Sequence, residues 1–168
     1  MINIQRINPL VYGNSMTKRS VNINRHDDIF PLLKGKVFHV TSTVSMKSIR
    51  SAGAITPNIR LEQESLFGNT SNGFFRLREC VSFFDYRNFG SKEWKEHALK
   101  CHPARALDYS SSITILFLCK NIYPHLISWA GWKDEEAWSE HVVPFIEIGH
   151  KGAVSLDNIT DELIVEWR

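Results

Sequence analysis

The stretch 36–53, "KVFHVTSTVSMKSIRSAG", places a histidine and two hydroxyl residues at the end of a short apolar run. His39 can be a packed structural residue, a metal ligand or part of a binding site. A metal ligand is disfavoured, because the seven histidines and three cysteines of the chain form no CxxC, HExxH or HxxxH spacing. The adjacent Cys101 and His102 cannot easily converge on one tetrahedral ion. The sequence therefore predicts no metal site.

Nucleophilic catalysis is the second chemistry that the residue types allow. Ser82 lies in "CVSFF", which lacks the glycines of a nucleophile elbow, and no local pattern connects a histidine with it. Cys80 is a weak nucleophile candidate for the same reason. A serine or cysteine hydrolase is therefore a poor interpretation of this chain.

A more informative set combines His39, Ser82 and Glu140, which lie in or directly before three separate apolar runs. Taken singly, each has a structural explanation. The histidine can be a hydrogen-bonded strand residue, the serine a small packing residue, and the glutamate a solvated charge after "KDEE". Their meaning depends on the elements that position them.

The apolar runs predict several strands. The predicted strands cover 36–40, 79–86, 112–119, 141–148 and 162–167. The continuous run "SITILFLC" is best interpreted as a central buried strand, and Pro144 favours an edge or a bulge for the strand around it.

Two helices and a long loop separate these strands. Ser42 or Thr43 can begin a short helix that ends at Gly53, and residues 91–102 are rich in helix formers. The Asn-, Ser- and Gly-rich segment 57–75 is predicted to be an exposed loop. Since helices and strands do not alternate regularly, we expect an α+β fold.

The bulk properties are those of one compact domain. The chain has 168 residues, is 43% hydrophobic and carries a formal net charge of +2. We therefore predict a single domain over 1–168, with residues 1–30 as an N-terminal arm. Three widely spaced cysteines suit a reducing compartment, and we see no secretory signal or membrane-spanning run. A cytoplasmic protein without membrane contact is expected.

The order and local settings of the three polar residues resemble the ADP-ribosyltransferase fold, specifically the His-containing branch with the DarT-like toxins and AbiGi-type phage-defence proteins. That branch opens with an aromatic–His–hydroxyl strand and a short helix ending in Ser/Ala-Gly, here "VFHVTS" and "SMKSIRSAGAI". A strand with a hydroxyl residue beside aromatics follows, here "ECVSFFDY". A glutamate then precedes a "VVP"-like strand, here "SEHVVPFIEI". The resemblance covers about Lys36 to Trp167 and implies a split β-sandwich, with two packed sheets and flanking helices.

The resemblance also implies a reaction. Such enzymes cleave the bond between nicotinamide and ribose in NAD, their co-substrate, and pass the ADP-ribosyl group to an acceptor. The transition state is like an oxocarbenium ion, so a carboxylate near the ribose stabilises the developing positive charge. By this resemblance Glu140 is the catalytic carboxylate.

The remaining site residues are assigned in the same way. His39 is expected to hydrogen-bond a ribose hydroxyl, with support from Thr41 on the same strand. Ser82 would shape the pocket floor, and Phe83 or Phe84 would stack on nicotinamide. A guanidinium suits the pyrophosphate, and the candidates are Arg50, Arg76 and Arg78.

The acceptor is suggested by basic and aromatic residues around the expected mouth. The basic set is Lys47, Arg50, Arg60, Arg76, Arg78 and Arg87, and the aromatic set is Phe67, Phe74, Phe75 and Tyr86. Cations with stacking rings are typical of sites for single-stranded nucleic acid, but such a mixture also describes an ordinary surface. The expected function is transfer to nucleic acid, above all single-stranded DNA, by a toxin or defence factor with an antitoxin or immunity partner.

Other classes stay open at this point. The fold can also carry an RNA 2′-phosphotransferase, although the arginines and histidines here do not clearly reproduce that spacing. A catalytically inactive module for binding or immunity fits the same sequence. So does a plain structural domain, whose polar residues only satisfy the backbone.

Overall fold

The computed structural model describes residues 4–6, 16–63, 65–67 and 71–168. The strands in this part are β1 Ile4–Arg6, β2 Thr17–Ile23, β3 Val37–Ser42, β4 Ala54–Ile55, β5 Cys80–Asp85, β6 Ser112–Leu118, β7 Ile127–Ser128, β8 Glu147–Lys151, β9 Val154–Ser155 and β10 Ile159–Trp167. The α-helices are α1 Phe30–Leu33, α2 Met46–Ala52, α3 Phe74–Leu77, α4 Lys92–Ala98 and α5 Gly131–Asp134. Short 3₁₀ helices cover His26–Ile29, Pro103–Asp108, Lys120–His125 and Leu156–Asn158.

Eight strands form one mixed sheet in the order β1-β2-β10-β6-β3-β5-β8-β7. Only β2 and β10 run parallel within it, among the strands described; the other neighbours are antiparallel. β4 and β9 form a separate antiparallel pair. This mixture of a large sheet, a small sheet and short helices confirms the α+β prediction.

The sheet opens between β3 and β5. These strands pair only at Val37 with Asp85 and at Phe38 with Phe84. On its other edge β3 stays paired with β6 as far as Ser42, and β5 stays paired with β8 from Cys80. A gap in the hydrogen-bonded ladder therefore begins at His39.

The predicted central strand is confirmed by β6. Every residue from Ile113 to Leu118 is buried, because the sheet is covered on both faces. Ile113, Ile115 and Phe117 join the core on one face, and Leu116 and Leu118 join the core on the other. A continuous apolar run is the expected sequence for a strand covered in this way.

The two predicted helices are present with shorter bounds. α2 ends at Gly53, which has a φ of 67° and so occupies the left-handed C-terminal position that favours glycine. α4 begins after Ser91, whose hydroxyl accepts the Trp94 N–H at 3.1 Å. Trp94 and Ala98, four residues apart, are both buried.

Residues predicted as an N-terminal arm contribute to the sheet. β2 lies between β1 and β10, and its Val21 and Ile23 are buried. Residues 1–3 and 7–15 of that prediction lie outside the described residues, as do residues 64 and 68–70 of the predicted loop 57–75. The end of that loop is instead helical, since α3 begins at Phe74.

The strand predicted over 141–148 begins later than expected. Residues 144–146 form a turn, closed by the N–H groups of Ile146 and Glu147, which both donate to the carbonyl of Val143, at 3.2 and 3.0 Å. Phe145 within this turn has a φ of +63°. β8 therefore starts at Glu147, and this shift decides which carboxylate enters the site.

Across the part of the chain that the structure describes, no helix combines the length and the apolar character needed to cross a membrane.

Position 149 of β8 requires glycine because the ring of Phe75 lies close to the backbone there. A Cβ atom built there would lie 2.7 Å from Cε1 and 3.0 Å from Cγ of Phe75, a buried side chain on α3. Cγ attaches the ring to the rest of the Phe75 side chain, so it cannot move away as the tip of a flexible side chain can. We therefore expect Gly149→Ala to lower the free energy of unfolding by about 1–3 kcal/mol, measured by urea denaturation.

The matched control is the same change in a Phe75→Leu background. A smaller side chain at that position leaves room for the new methyl group, so the double variant should be less destabilised than the sum of the two single variants. Strict additivity would show that the Phe75 ring is not what excludes a side chain at Gly149.

Candidate active site

A cavity of about 410 Å³ lies where β3 and β5 separate. The polar or charged residues in its lining that bear on the predicted site are His39, Thr41, Ser82, Arg76 and Glu147. Side chains alternate between the two faces along a strand. His39 and Phe83 therefore lie on one face of the sheet, and Ser82 and Glu147 lie on the other. Both sets line the same cavity because the ladder between β3 and β5 is open here.

His39 spans the opening. Its Nδ1 lies 2.9 Å from the carbonyl oxygen of Ser82. Because a carbonyl only accepts, Nδ1 carries the hydrogen and Nε2 is left as an acceptor when the ring is neutral. Burial lowers the pKa of His39 below its ordinary value of 6.5, although the bond to Ser82 opposes this shift. The ring is therefore neutral at pH 7, with its lone pair on Nε2.

Glu147 is the carboxylate at this cavity. Its Oε1 accepts the Ser82 hydroxyl at 3.2 Å, and its Oε2 accepts the Val143 N–H at 2.5 Å. Burial raises the pKa of Glu147 above 4.5, while the two hydrogen bonds act against that shift. The turn before β8 thus holds a carboxyl group whose ionisation is costly until a positive charge approaches.

Glu140, the carboxylate that the resemblance implies, is not among the residues that line this cavity. Its Oε2 accepts Nη1 of Arg78 at 2.5 Å, and its carbonyl accepts the indole N–H of Trp132. The physical reason is the later start of β8. The residue at the entrance of that strand is Glu147, and Glu140 belongs to the preceding turns.

The three candidate arginines are placed very differently. Arg50 donates to both oxygens of the buried Glu162, at 2.5 and 2.6 Å, and Arg78 pairs with Glu135 and Glu140. Arg76 alone of the three lines the cavity. Its guanidinium donates to the carbonyls of Ile59, at 2.9 Å, and Ser71.

Thr41 and Phe83 both line the cavity. Phe83 is only 1% exposed, with its ring edge-to-face with His39 at 5.8 Å, so it packs beneath the histidine. Phe67 is the partly exposed ring of the lining and packs edge-to-face on Phe84. Stacking on a flat ligand suits Phe67 better than Phe83.

The predicted stacking rings at the mouth are mostly absent from the surface. Phe74, Phe75 and Tyr86 are buried in the core, so that part of the nucleic-acid prediction is wrong. Phe74 and Phe75 on α3 form one core cluster with Cys80, and Tyr86 belongs to the core that contains Phe38 and Trp94. The Arg87 guanidinium donates to both carboxylate oxygens of Asp85, at 2.8 and 2.7 Å.

The same geometry bears on nucleophilic catalysis by cysteine and on metal binding. Burial raises the pKa of the Cys101 thiol at the cavity to about 12, and burial also raises that of Cys80. Both are therefore thiols at neutral pH and poor nucleophiles. Among the described residues, no three His, Cys, Asp or Glu side chains group closely enough to hold a metal ion.

A sequence signal for Glu147 exists in the segment after Pro144. "FIEIG" alternates apolar and polar residues from Ile146 onwards, which is the strand pattern, whereas "HVVP" is apolar without alternation. The strand entrance was therefore readable at Glu147. Arg76 has no such signal, because its position at the cavity depends on how α3 packs on β8.

Comparison of the chain with protein-family models, with curated proteins and with solved structures found no match.

The raised pKa of Glu147 predicts a pH-dependent effect of Glu147→Gln on stability. The contribution of this carboxyl to folding is complete below its unfolded pKa, about 4.5, and is lost as the pH rises through the folded value. The glutamine side chain does not ionise, so the variant avoids this loss of stability. We expect the free energy of unfolding of the variant, relative to the native protein, to increase as the pH is raised from 4.5, in denaturation series at stepped pH.

Glu140→Gln is the matched control at a second glutamate. Here the change removes an ion pair with Arg78, so the variant should be less stable than the native protein at pH 7, by up to about 1 kcal/mol. A Glu147→Gln protein that loses stability relative to the native protein as the pH rises would contradict the desolvated carboxyl.

Proposed function

We propose that this chain is an NAD-dependent ADP-ribosyltransferase. The observation that carries the proposal is the cavity at the sheet opening, which brings together His39, Ser82 and Glu147 from β3, β5 and β8. These are a histidine, a hydroxyl and a carboxylate in the chain order of the family that the sequence resembles. The structure differs from that resemblance in one residue, since Glu147 takes the place expected for Glu140.

The cavity has the volume of a small-molecule site, and its donor set suits the groups of NAD. Ligand sites span about 300–1,000 Å³, and this cavity is about 410 Å³. Its lining offers an acceptor at His39 Nε2, a carboxylate at Glu147 and a guanidinium at Arg76, beside apolar side chains such as Ile49 and Ile55. Hydroxyls, a developing cation and a pyrophosphate are the matching groups of NAD.

His39 binds and orients in this mechanism. Its Nε2 accepts a ribose hydroxyl, and its bond to the Ser82 carbonyl fixes the ring plane. Ser82 acts through Glu147, because its hydroxyl donates to that carboxylate and holds it in place. Neither residue exchanges a proton with the substrate.

Glu147 supplies the negative charge that stabilises the transition state. When the bond between C1′ of the ribose and nicotinamide breaks, the leaving ring takes the electron pair and positive charge grows on the sugar. A carboxylate held at this point by Ser82 and Val143 needs no reorganisation to stabilise that charge. Since the ionised form is required, activity should fall on acidification with an apparent pKa above 4.5.

Arg76 takes the pyrophosphate role among the three predicted arginines, because it lines the cavity. Its two backbone bonds, to Ile59 and Ser71, hold the guanidinium plane at the wall. A planar fork held in this way suits phosphate oxygens.

The first test compares two glutamate variants. Glu147→Gln should lower the rate of nicotinamide release from NAD at least about a hundredfold, since it removes a charge that acts in the transition state. Glu140→Gln should retain nearly native activity. The measurement is chromatographic quantification of nicotinamide with pooled DNA, RNA or protein as acceptor.

Other outcomes would contradict the assignment of Glu147 or favour one of the alternative functions. Equal activity in the Glu147→Gln variant would overturn the assignment of that carboxylate. Failure of the native protein to bind NAD in calorimetry would favour the inactive module. NAD-dependent removal of the 2′-phosphate from a 2′-phosphorylated RNA, with the phosphoryl group transferred to the NAD-derived product, would favour the phosphotransferase.

The second test concerns Arg76. Arg76→Gln should weaken NAD binding about tenfold, because one charge-assisted contact to phosphate is lost. Binding of nicotinamide riboside, which has no phosphate, should be unchanged. Calorimetry with both ligands separates the two cases, and an equal loss for both would show that Arg76 only supports the cavity wall.

A further inference from the structure

The helix α2 forms one wall of the cavity at the sheet opening. The residues that it contributes to the lining are Ser45, Ser48, Ile49 and Ala52. Ser45 directly precedes the helix, and the spacing of three and four residues places all of them on one helical face. The shape of the cavity on this side therefore depends on where α2 lies.

α2 has little apolar packing of its own to hold it in place. Met46 is the buried residue of its seven, and a helix this short is not stable by itself. At its start, the Ser45 N–H donates to the Ser42 hydroxyl at 3.0 Å. At its end, the Gly53 carbonyl accepts the Leu156 N–H at 3.0 Å. These bonds hold the two ends and leave the middle of the helix to be held by side chains.

Arg50 connects the middle of α2 to the sheet. Its guanidinium donates to both carboxylate oxygens of Glu162 on β10, at 2.5 and 2.6 Å. Glu162 lies opposite Leu116 of β6, which belongs to the same core cluster as Met46, so the carboxylate is on the face that α2 covers. Since β6 separates β3 from β10, the Arg50 side chain links the helix to a strand about 10 Å from the strand that it follows.

This pair is an energetically costly way to stabilise a fold. Glu162 is 2% exposed, whereas Arg50 stays partly exposed, and a buried carboxylate loses its hydration even when it is paired. Apolar residues of similar volume often give equal stability, so stability alone does not explain the pair. A planar guanidinium bonded through two contacts fixes direction as well as distance. The pair therefore sets the orientation of the helix on the sheet.

We propose that Arg50 and Glu162 are positioning residues, which hold α2 in the orientation that completes the cavity wall. The anchoring of α2 stands by itself, whereas its effect on NAD rests on the proposed function. Neither residue is among the described residues that line the cavity, and His39, Ser82 and Glu147 lie on other elements. Loss of the pair should therefore weaken ligand binding and leave the chemical step nearly unchanged.

The main variant is Arg50→Ala/Glu162→Leu. Alanine keeps the helix propensity and leucine fills the buried strand position, so the link is removed without leaving a buried charge. Lys18→Ala is the matched control. Lys18 Nζ lies 3.5 Å from the same carboxylate, but it belongs to β2, the strand paired with β10, so its loss does not release α2. Arg50→Lys keeps the charge without the planar fork and should be intermediate.

Two measurements are made on each protein. In hydrogen exchange followed by mass spectrometry, without NAD, the α2 amides of the double variant should exchange at least about tenfold faster than in the native protein, with the β10 amides unchanged. In nicotinamide release, its KM for NAD should rise about tenfold while kcat stays within about twofold of the native value. The Lys18→Ala protein should match the native protein in both measurements.

Each outcome decides one part of the proposal. Native-like exchange of α2 in the double variant would overturn the anchor, and so would an equal change in the Lys18→Ala protein. Faster exchange with an unchanged KM would overturn the effect on the cavity wall. If the native protein neither binds nor cleaves NAD, the proposed function fails, while the exchange measurement still decides whether the pair positions α2. Should the double variant fail to fold, the comparison of Arg50→Lys with Lys18→Ala decides by the same measurements.

Discussion

The hydrogen bond from His39 Nδ1 to the Ser82 carbonyl is the contact on which the site depends. Two neighbouring strands that separate in the middle of a sheet leave backbone groups without ladder partners, and buried groups of this kind are costly. The His39 imidazole donates a hydrogen bond to the carbonyl of Ser82 in place of a strand partner, so β3 and β5 can stay apart beyond Phe38. The same bond fixes which ring nitrogen carries the hydrogen. One contact therefore keeps the cavity open and sets the chemistry of its histidine.

The strands that carry the site could be predicted from the sequence, but their composition alone misplaced one strand boundary. "KVFHV" and "ECVSFFDY" have the β-branched and aromatic residues of strands, and β3 and β5 confirm them. "HVVPF" has the same composition, but Pro144 and the left-handed Phe145 turn the chain there. Composition indicates a preference for extended backbone, whereas the turn is imposed by hydrogen bonds to Val143. This difference moved the expected carboxylate from Glu147 to Glu140.

Charge pairs could not be predicted either, because they depend on residues far apart in the chain. Arg50 is bonded to Glu162 on β10, and Arg78 to Glu135 and Glu140, and both pairings join residues from distant parts of the chain. The contact between the His97 and Phe145 rings likewise joins α4 to the turn before β8.

The most direct measurement is a crystal structure of the Glu147→Gln protein grown with NAD, which the variant should bind without cleaving. The nicotinamide ribose is expected in the opening between β3 and β5, with one hydroxyl within hydrogen-bond distance of His39 Nε2. A dinucleotide bound elsewhere, or a ribose out of reach of both His39 and residue 147, would contradict the central claim that the separated strands form a site for this sugar.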